Sequence, residues 1–434
     1  MNQLNEAEKD LILDKNAPEG GTSIFAKRKE GGEAQAGRKC NICKQEAEVL
    51  YQLPFRDLQG SDQEEYVQKI CLCKKCGFLF TQNPLTEEQL ANRYKTFSKF
   101  EFDADDYLLN ESEDYKKRSQ RQKFFIESVI KDDFNSVLEV GAASGYNLSL
   151  YREGKDVYGI EPSARNCRLA KKHYNVEMFD GMFSEYVNQN ETRGEEKRKY
   201  DLIFLSHVLE HIVDPFDFIL ECKSMCSQYV FIEVPTMDYK YLEEPMGMFC
   251  EEHVNYFTLE GLNALMTAAG FEMVDVNYIF CREAFLPAGF PAMSTIWRMS
   301  KGEKNDFRPV FSTELIAKTY VEQNEKEFRK IREKIDAIPK DERLAVWGTG
   351  HHASMLLANT SLGEKNIVRV YDGDKRKARY TFAGHKIECF HEDDVLNGQI
   401  DAILIATYTA QKAISRLVEP YKEHCRIYYL YDFI

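Results

Sequence analysis

Residues 136–145 read SVLEVGAASG, and this stretch decides the fold of the central part of the chain. Ser136–Val140 has the length and apolar composition of a buried strand. It runs directly into a glycine turn, Gly141–Gly145, and a helical pattern follows. A strand, a glycine loop and a helix N-terminus in this order predict a pocket for a nucleoside-containing ligand, at the carboxyl edge of a parallel sheet.

Further strand and helix patterns follow this stretch. Val157–Glu161 predicts a second strand that ends in a carboxylate, which can accept hydrogen bonds from ribose hydroxyls. Tyr200–His207 and Tyr229–Pro235 predict two more strands, whereas 282–300, which holds two prolines, is predicted to be irregular. The alternation predicts an α/β fold with a parallel sheet.

These motifs resemble those of the class I S-adenosylmethionine (SAM)-dependent methyltransferases. E-V-G-x-x-x-G stands at 139–145, and HVLEHIVDP at 207–215 is similar to a later motif of that family. The resemblance implies a seven-stranded Rossmann-like sheet with SAM across its carboxyl edge. It places Glu161 on the ribose, Asp180 near the adenine, and Ser206 and His207 at the methionine end. The full set of cofactor-binding residues that it implies is Glu139, Gly141, Ala143, Gly145, Glu161, Asp180, Ser206 and His207.

Two C-x₂-C pairs, Cys40/Cys43 and Cys73/Cys76, stand on either side of two strand-like segments. This spacing predicts a closed Cys₄ zinc site with a structural role. Two alternatives stay open: Cys71 replaces Cys73 as a ligand, or the thiols are free and buried. The segments between the pairs are predicted to form short paired strands.

Composition limits the class of protein. The chain has 434 residues and a formal net charge of −14, which argues against a nucleic-acid partner and against an anionic membrane surface. No apolar run reaches the roughly 20 residues of a membrane helix, and the N-terminus lacks a signal-peptide layout. We therefore expect a cytoplasmic protein, a monomer or a homodimer, that acts on a small molecule.

The C-terminal part begins with a second strand and Gly-x-Gly turn, at Gly348 and Gly350. Its next strand ends in Asp372, at a dinucleotide-like distance. Taken alone, this pattern indicates an NAD site. The alternative is a Rossmann-like unit that is structural or binds substrate, and we favour it.

The order of these units resembles the sugar C-methyltransferases that act on nucleotide-linked keto-deoxysugars. In that family a Tyr-x-Glu-His segment carries the base chemistry, and the resemblance implies that Glu252 and His253 match its Glu and His. Cys250 stands at the tyrosine position, and no lysine follows Gly350 as it does in the family. The implied reaction is enolate attack on the SAM methyl group, with His253 as the base.

These patterns divide the chain into five expected parts. They are a flexible tail at 1–38, a zinc-binding domain at 39–85, a methyltransferase domain at 86–300, a helical linker at 301–340 and a C-terminal Rossmann-like domain at 341–434.

Two rival functions remain. The first is O- or N-methylation of a saccharide or a small metabolite, in which the same base removes a proton from a hydroxyl or amine. The second is a zinc-containing binding or assembly protein with an inactive methyltransferase fold. The glycine loop and Glu161 argue against the second rival, because an inactive fold does not need them.

Overall fold

The computed structural model describes ten stretches of the chain, and all structural statements concern these residues. They are 38–56, 65–84, 113–131, 133–192, 198–239, 244–250, 252–279, 291–300, 311–379 and 381–432. The tail predicted at 1–38 lies outside them, apart from Arg38. Within the described part, no helix combines the length and the apolar composition that crossing a membrane requires.

The central sheet has seven strands in the order β10-β11-β8-β7-β4-β5-β6. All neighbours pair in parallel except β11, which runs antiparallel to both β8 and β10. The strands are β4 Ser136–Val140, β5 Asp156–Glu161, β6 Met178–Asp180, β7 Tyr200–Ser206, β8 Cys226–Pro235, β10 Phe271–Ile279 and β11 Ala292–Met299. The carboxyl ends of β4, β5, β7 and β8 therefore meet at one edge, which is the edge where the sequence predicts the pocket.

Strand β11 corrects the prediction that 282–300 is irregular. Six of its eight residues are buried, and it inserts between β8 and β10. The two prolines that suggested a break precede the strand, because Pro291 lies just before Ala292. Trp297 is fully buried and donates its indole N–H to Thr295 Oγ1 at 2.7 Å.

Ten helices flank the sheets in the described residues. They are α1 Glu113–Ile130, α2 Tyr146–Ser149, α3 Ala164–Tyr174, α4 Phe183–Thr192, α5 Pro215–Met225, α6 Leu259–Ala268, α7 Phe311–Asp336, α8 His351–Asn359, α9 Glu392–Leu396 and α10 Gln411–Val418. Side chains cap several N-termini: Ser163 accepts from the N–H of Asn166, and Thr258 accepts from the N–H of Gly261. Helix α7 lies inside the range predicted as a helical linker.

An antiparallel four-stranded sheet forms the N-terminal unit, in the order β1-β2-β3-β9. Its strands are β1 Glu48–Arg56, β2 Glu65–Leu72, β3 Leu79–Thr81 and β9 Asn255–Tyr256. The first two are the segments between the cysteine pairs, so their predicted pairing is confirmed. The fourth strand comes from the central part of the chain and begins two residues after His253.

The C-terminal sheet has six strands in the order β14-β15-β13-β12-β16-β17. Five are parallel, and β14 is antiparallel to β15. They are β12 Leu344–Trp347, β13 Ile367–Tyr371, β14 Thr381–Phe382, β15 His385–Glu388, β16 Ala402–Ile405 and β17 Arg426–Tyr429. Helix α8 packs on β1 of the N-terminal unit, where Asn359 Nδ2 donates to the carbonyl oxygen of Pro54 at 2.8 Å.

Candidate active site and cysteine cluster

The glycine loop follows β4 and has a left-handed backbone conformation that residues with a Cβ rarely adopt. Gly141 and Gly145 have φ of +73° and +77°. A Cβ on Gly145 would lie 2.6 Å from Met178 Cε, so a side chain there would clash as well as strain the backbone. Ala143 adopts φ 45°, which places a left-handed alanine between the two glycines.

Glu161 ends β5 and turns its carboxylate over this loop. One oxygen accepts from the N–H of Ala143 at 2.9 Å, and the other accepts from the N–H of Ser163 at 3.1 Å. Asp180 ends β6, is exposed, and pairs in register with Glu161. The two predicted ribose and adenine contacts thus lie on neighbouring strand ends beside the loop.

Glu139 lies below the loop and faces the protein interior. It is 2 % exposed, and its Oε1 accepts from Asn147 Nδ2 of α2 at 2.8 Å. Burial raises the pKa of Glu139, and the hydrogen bond from Asn147 lowers it. Burial has the larger effect, so the pKa is about 8. The structure therefore gives this carboxyl a contact that supports the helix after the loop.

Ser206 and His207 stand at the carboxyl end of β7, as predicted. Ser206 Oγ accepts from Gln122 Nε2 at 2.9 Å. The His207 ring lies between two buried carboxylates: its Nδ1 is 3.2 Å from Glu210 Oε1 and its Nε2 is 3.5 Å from Glu233 Oε1. Burial alone lowers the pKa of His207, but the attraction of these two carboxylates outweighs burial and raises it.

Glu233 extends this charged network toward α1. Its two oxygens accept from Arg121 at 3.0 Å each, and Ser294 donates to Oε2 at 2.5 Å. The side chain has no exposed surface. A fully buried carboxylate needs such partners, because an unpaired charge would be strongly destabilising there.

Glu210, His211 and His253 form a second cluster beside the first. Their ligand-type atoms all lie within 4.8 Å of one another. The His211 Nδ1–H donates to the carbonyl oxygen of Glu252 at 3.0 Å, which turns Nε2 toward Glu210 Oε1, 3.9 Å away. The His211 and His253 rings meet edge to face, with their centroids 5.0 Å apart.

The carboxylate in this cluster belongs to Glu210, a residue that the sequence did not single out. Burial raises its pKa, but the hydrogen bond with His207 and the nearby histidine charges lower it to about 2. Glu210 is thus a buried carboxylate that stays ionised. The signal was present in the sequence, because Glu210 lies one turn after His207 and next to His211. Glu252, predicted to support His253, contributes its backbone carbonyl to His211.

The four cysteines of the two C-x₂-C pairs come together in the N-terminal unit. Cys40 and Cys76 Sγ are 3.5 Å apart, Cys43 and Cys73 Sγ are 3.4 Å apart, and all four lie within 4.8 Å of one another. Zn–S bonds of about 2.3 Å in a tetrahedron require Sγ–Sγ distances of roughly 3.8 Å. The donor set therefore fits Zn²⁺, and Cys71 lies outside it.

Both C-x₂-C turns share one backbone pattern. The carbonyl of Cys40 accepts from the N–H of Lys44 at 2.8 Å, and that of Cys73 accepts from Gly77 at 2.8 Å. Lys44 and Gly77 both have positive φ, 56° and 71°. The two turns thus have the same backbone conformation, and each supplies two of the four thiolates. Four thiolates that bind one zinc ion would form a structural cross-link between the turns.

In the C-terminal unit, the carboxylate of Asp372 is held by the chain's own groups. The N–H and hydroxyl of Thr349 donate to Oδ2 at 3.0 Å and 2.7 Å, and Lys377 Nζ lies 2.7 Å from the same oxygen. This arrangement parallels Glu161 over Ala143. Next to the turn, His352 is buried and its Nδ1 is 3.4 Å from Glu244 Oε1 of the central part.

Two family models match parts of the chain. A family model described as a methyltransferase domain matches residues 109–276. A second model, described as C2185-like, N-terminal, matches residues 340–423. The two matches lie on the central and C-terminal sheets respectively.

Several curated relatives are methyltransferases by name. A ubiquinone biosynthesis O-methyltransferase from Roseobacter denitrificans is 22% identical over 178 residues, which is 38% of this chain and 67% of the relative. One from Rhodopseudomonas palustris is 24% identical over 27% of this chain, and the chain spans 46% of that relative's length. An uncharacterized methyltransferase from Anoxybacillus flavithermus is 31% identical over 25% of this chain and 50% of the relative.

Among solved structures, a SAM-dependent methyltransferase from Archaeoglobus fulgidus is 18% identical, with a TM-score of 0.35. The match covers 44% of this chain and 99% of that protein. The family match over 109–276 covers the glycine loop, Glu161 and the carboxyl end of β7. The chain therefore carries a methyltransferase domain at residues 109–276.

Proposed function

We propose that the protein transfers the methyl group of SAM to a carbon next to the keto group of a nucleotide-linked sugar. SAM would lie on Gly141, Ala143 and Gly145, with Glu161 on its ribose hydroxyls. Asp180 would border the adenine, and Ser206 and His207 the methionine end, with Glu139 supporting the loop from below. These positions border the carboxyl edge of one sheet, where class I folds hold their ligands.

We further propose that His253 is the base. A keto group acidifies the neighbouring C–H, and His253 takes that proton. The electron pair left on carbon attacks the methyl carbon in line while the C–S bond breaks. The sulfonium sulfur keeps the bond's electrons and becomes the neutral thioether of S-adenosylhomocysteine.

One observation carries this proposal: the ring nitrogen of His253 and the carboxylate of the buried Glu210 lie within 4.8 Å of each other, close to the strand end that holds Ser206 and His207. A negative charge next to the ring stabilises the imidazolium that proton uptake creates. Glu210 therefore fits the supporting role first expected of Glu252. The position is also suitable, because β7 ends beside the loop that would hold the cofactor.

Replacing His253 by glutamine tests this role. Glutamine keeps polarity and size but cannot accept the proton, so we expect SAM to bind normally and turnover to fall by at least a hundredfold, within the range of about 10²–10⁴ for general-base assistance. His424→Gln, on an exposed surface of the C-terminal unit, is the matched control. A loss of less than tenfold would place the base elsewhere.

O-methylation is the second candidate, because curated relatives carry the name ubiquinone biosynthesis O-methyltransferase. The same histidine would then remove a hydroxyl proton. Solvent deuterium distinguishes the two reactions. Incubation with a keto-sugar nucleotide in D₂O should introduce deuterium at the acidic carbon only if an enolate forms there.

The remaining proposals concern the whole protein. We propose that Cys40, Cys43, Cys73 and Cys76 hold a structural zinc, and that the C-terminal sheet helps to bind the sugar nucleotide rather than NAD. We also propose a cytoplasmic location. A binding or assembly protein with an inactive methyltransferase fold is the rival of another class, and titration calorimetry that detects no SAM binding would favour it.

A further inference from the structure

The loop that carries His253 is held by side chains of the N-terminal unit. We call residues 40–56 and 65–81, which contain the two cysteine turns and β1 to β3, the cysteine hairpin. Strand β3 of the hairpin pairs with β9, which begins two residues after His253. The N–H of Thr81 also donates to the carbonyl oxygen of Val254 at 2.9 Å. The hairpin thus reaches the proposed acceptor side of the site directly.

Gln68 of β2 contacts that loop with its side-chain amide. Its Nε2 lies 3.0 Å from the carbonyl oxygen of Cys250, 3.4 Å from that of His253 and 3.3 Å from Thr81 Oγ1. Two of these groups are carbonyls, which only accept hydrogen bonds, so the NH₂ end of the amide must face them. One fully buried amide therefore ties both ends of the segment Cys250–His253.

Two hydroxyl groups add to this hold. Tyr256 donates its hydroxyl to the carbonyl oxygen of His253 at 2.9 Å, and the same hydroxyl lies 2.9 Å from Thr81 Oγ1. Both side chains are buried. The carbonyl of His253 is therefore the meeting point of Gln68, Thr81 and Tyr256.

The methyltransferase domain holds the same loop from the other side. The N–H of Val254 donates to the carbonyl oxygen of Glu210 at 2.8 Å. Asn255 Nδ2 donates to the carbonyl oxygens of Leu209 and Ile212 at 3.0 Å and 2.7 Å. His253 is thus fixed between the turn that carries Glu210 and the cysteine hairpin.

Packing alone does not explain an amide at position 68. Its neighbours on the same face of β2, Ile70 and Leu72, are buried apolar residues of one core. Within the described residues, Gln68 Oε1 is buried and has no hydrogen-bond partner, which costs stability that an apolar side chain would not lose. The NH₂ contacts with Cys250 and His253 are what an apolar side chain at this position could not make.

We propose that Gln68 is a positioning residue, through which the cysteine hairpin sets the place of His253 beside Glu210. The inference rests on the proposed function, because it takes His253 as the base. It assigns the N-terminal unit a part in the methyl-acceptor side of the site, in addition to any structural role of its metal.

The test is Gln68→Met, which keeps the length and volume of the side chain but removes the donor. We expect hydrogen exchange of backbone amides in 252–257 to rise about tenfold, as the loss of one or two buried hydrogen bonds predicts. Exchange in β7, zinc content and SAM affinity should stay unchanged. With an acceptor that is turned over, kcat should fall about tenfold while KM for SAM does not change.

Two further variants keep the result decisive. Gln52 lies on the exposed face of the same hairpin, so the control variant Gln52→Met should alter none of these measurements. Thr81→Val should raise exchange in 252–257, and Thr81→Ser, which retains the hydroxyl, should restore it. The inference is wrong if hydrogen exchange in 252–257 does not change in Gln68→Met and Thr81→Val. It is also wrong if exchange in β7 rises as much as exchange in 252–257, because that would indicate general destabilisation.

Hydrogen exchange does not depend on turnover, so this test is separate from that of the proposed function. If wild-type protein fails to methylate keto-sugar nucleotides but Gln68→Met still loosens 252–257 locally, the proposed substrate is wrong and the positioning of His253 stands. If His253→Gln keeps full turnover, the base is wrong whatever the exchange result.

Discussion

Glu161 is held over the glycine loop by two backbone N–H groups, from Ala143 and Ser163. A carboxylate in this place can exchange those contacts for the two ribose hydroxyls of SAM. Each charge-assisted hydrogen bond contributes about 1.5–3 kcal/mol. We therefore expect Glu161→Ala to weaken SAM binding at least tenfold in titration calorimetry. Glu177→Ala, an exposed carboxylate one strand away, is the control, and an equal dissociation constant for both variants would contradict the assignment.

Glu210 should also make stability depend on pH. Its pKa falls from 4.5 to about 2 in the folded protein. A carboxyl with a depressed folded pKa contributes stability that is complete above the unfolded value and is lost as pH falls through the folded one. Lowering the pH from 4.5 to 2.5 should therefore reduce the free energy of unfolding of the wild-type protein. The reduction should be smaller in Glu210→Gln, which has no carboxylate to protonate at this position. Urea titrations at both pH values measure this, with exposed Glu419→Gln as the control, and equal drops would exclude the ionised state of Glu210.

At the residue scale, the sequence predicted where the candidate site residues lie in the fold better than it predicted which side chains contact them. Glu161, Asp180, Ser206 and His207 all lie at strand ends on one edge, because motifs after strands report where the chain leaves the sheet. The partner of His253 was missed, since Glu210 and His253 are distant in sequence and are brought together by hydrogen bonds such as that from the N–H of Val254 to the carbonyl oxygen of Glu210. Contacts of that kind depend on the tertiary arrangement and leave no local pattern.

At the scale of elements, the cysteine turns were predictable and one strand was not. The C-x₂-C spacing is a local signal, and both turns have the same hydrogen bond and a left-handed residue after the second cysteine. Strand β11 was missed because its pattern, AMSTIWRM, lacks alternation. A strand that is buried on both faces has no polar side to reveal its period.

The matched turns lead to a prediction about metal content. If four thiolates close around zinc, the double variant Cys73→Ser, Cys76→Ser should lose the metal that wild type holds at about one ion per chain. Cys71→Ala should retain it, because Cys71 lies outside the cluster. Elemental analysis of purified proteins distinguishes these outcomes. Less than a tenth of an ion per chain in wild type, or unchanged zinc in the double variant, would contradict a zinc site at these four cysteines.

At the scale of the whole molecule, one apolar core joins all three units. It contains Leu53 and Ile70 of the cysteine hairpin, Phe249 of the loop before His253, and Leu344 of the C-terminal sheet. Phe249 packs edge to face on Tyr320 of helix α7, with ring centroids 5.0 Å apart. Tyr51 of the hairpin donates its hydroxyl to Glu325 of the same helix. The hairpin is therefore part of the interface between the other two units.

This shared core predicts that metal removal destabilises more than the hairpin. If zinc closes the four-cysteine site, its removal should loosen the hairpin, and the core that the hairpin shares with α7 and the C-terminal sheet should lose buried apolar surface. We expect calorimetry of the intact protein to show that a chelator lowers the unfolding temperature of the transition that includes the C-terminal sheet. Hydrogen exchange of β12 and β16, followed at the same chelator concentration, identifies that transition. The double cysteine variant should behave like the chelated protein and should not respond to chelator. If chelation instead produced a small separate transition and left exchange in β12 and β16 unchanged, the hairpin would unfold as an independent module, and the prediction would be wrong.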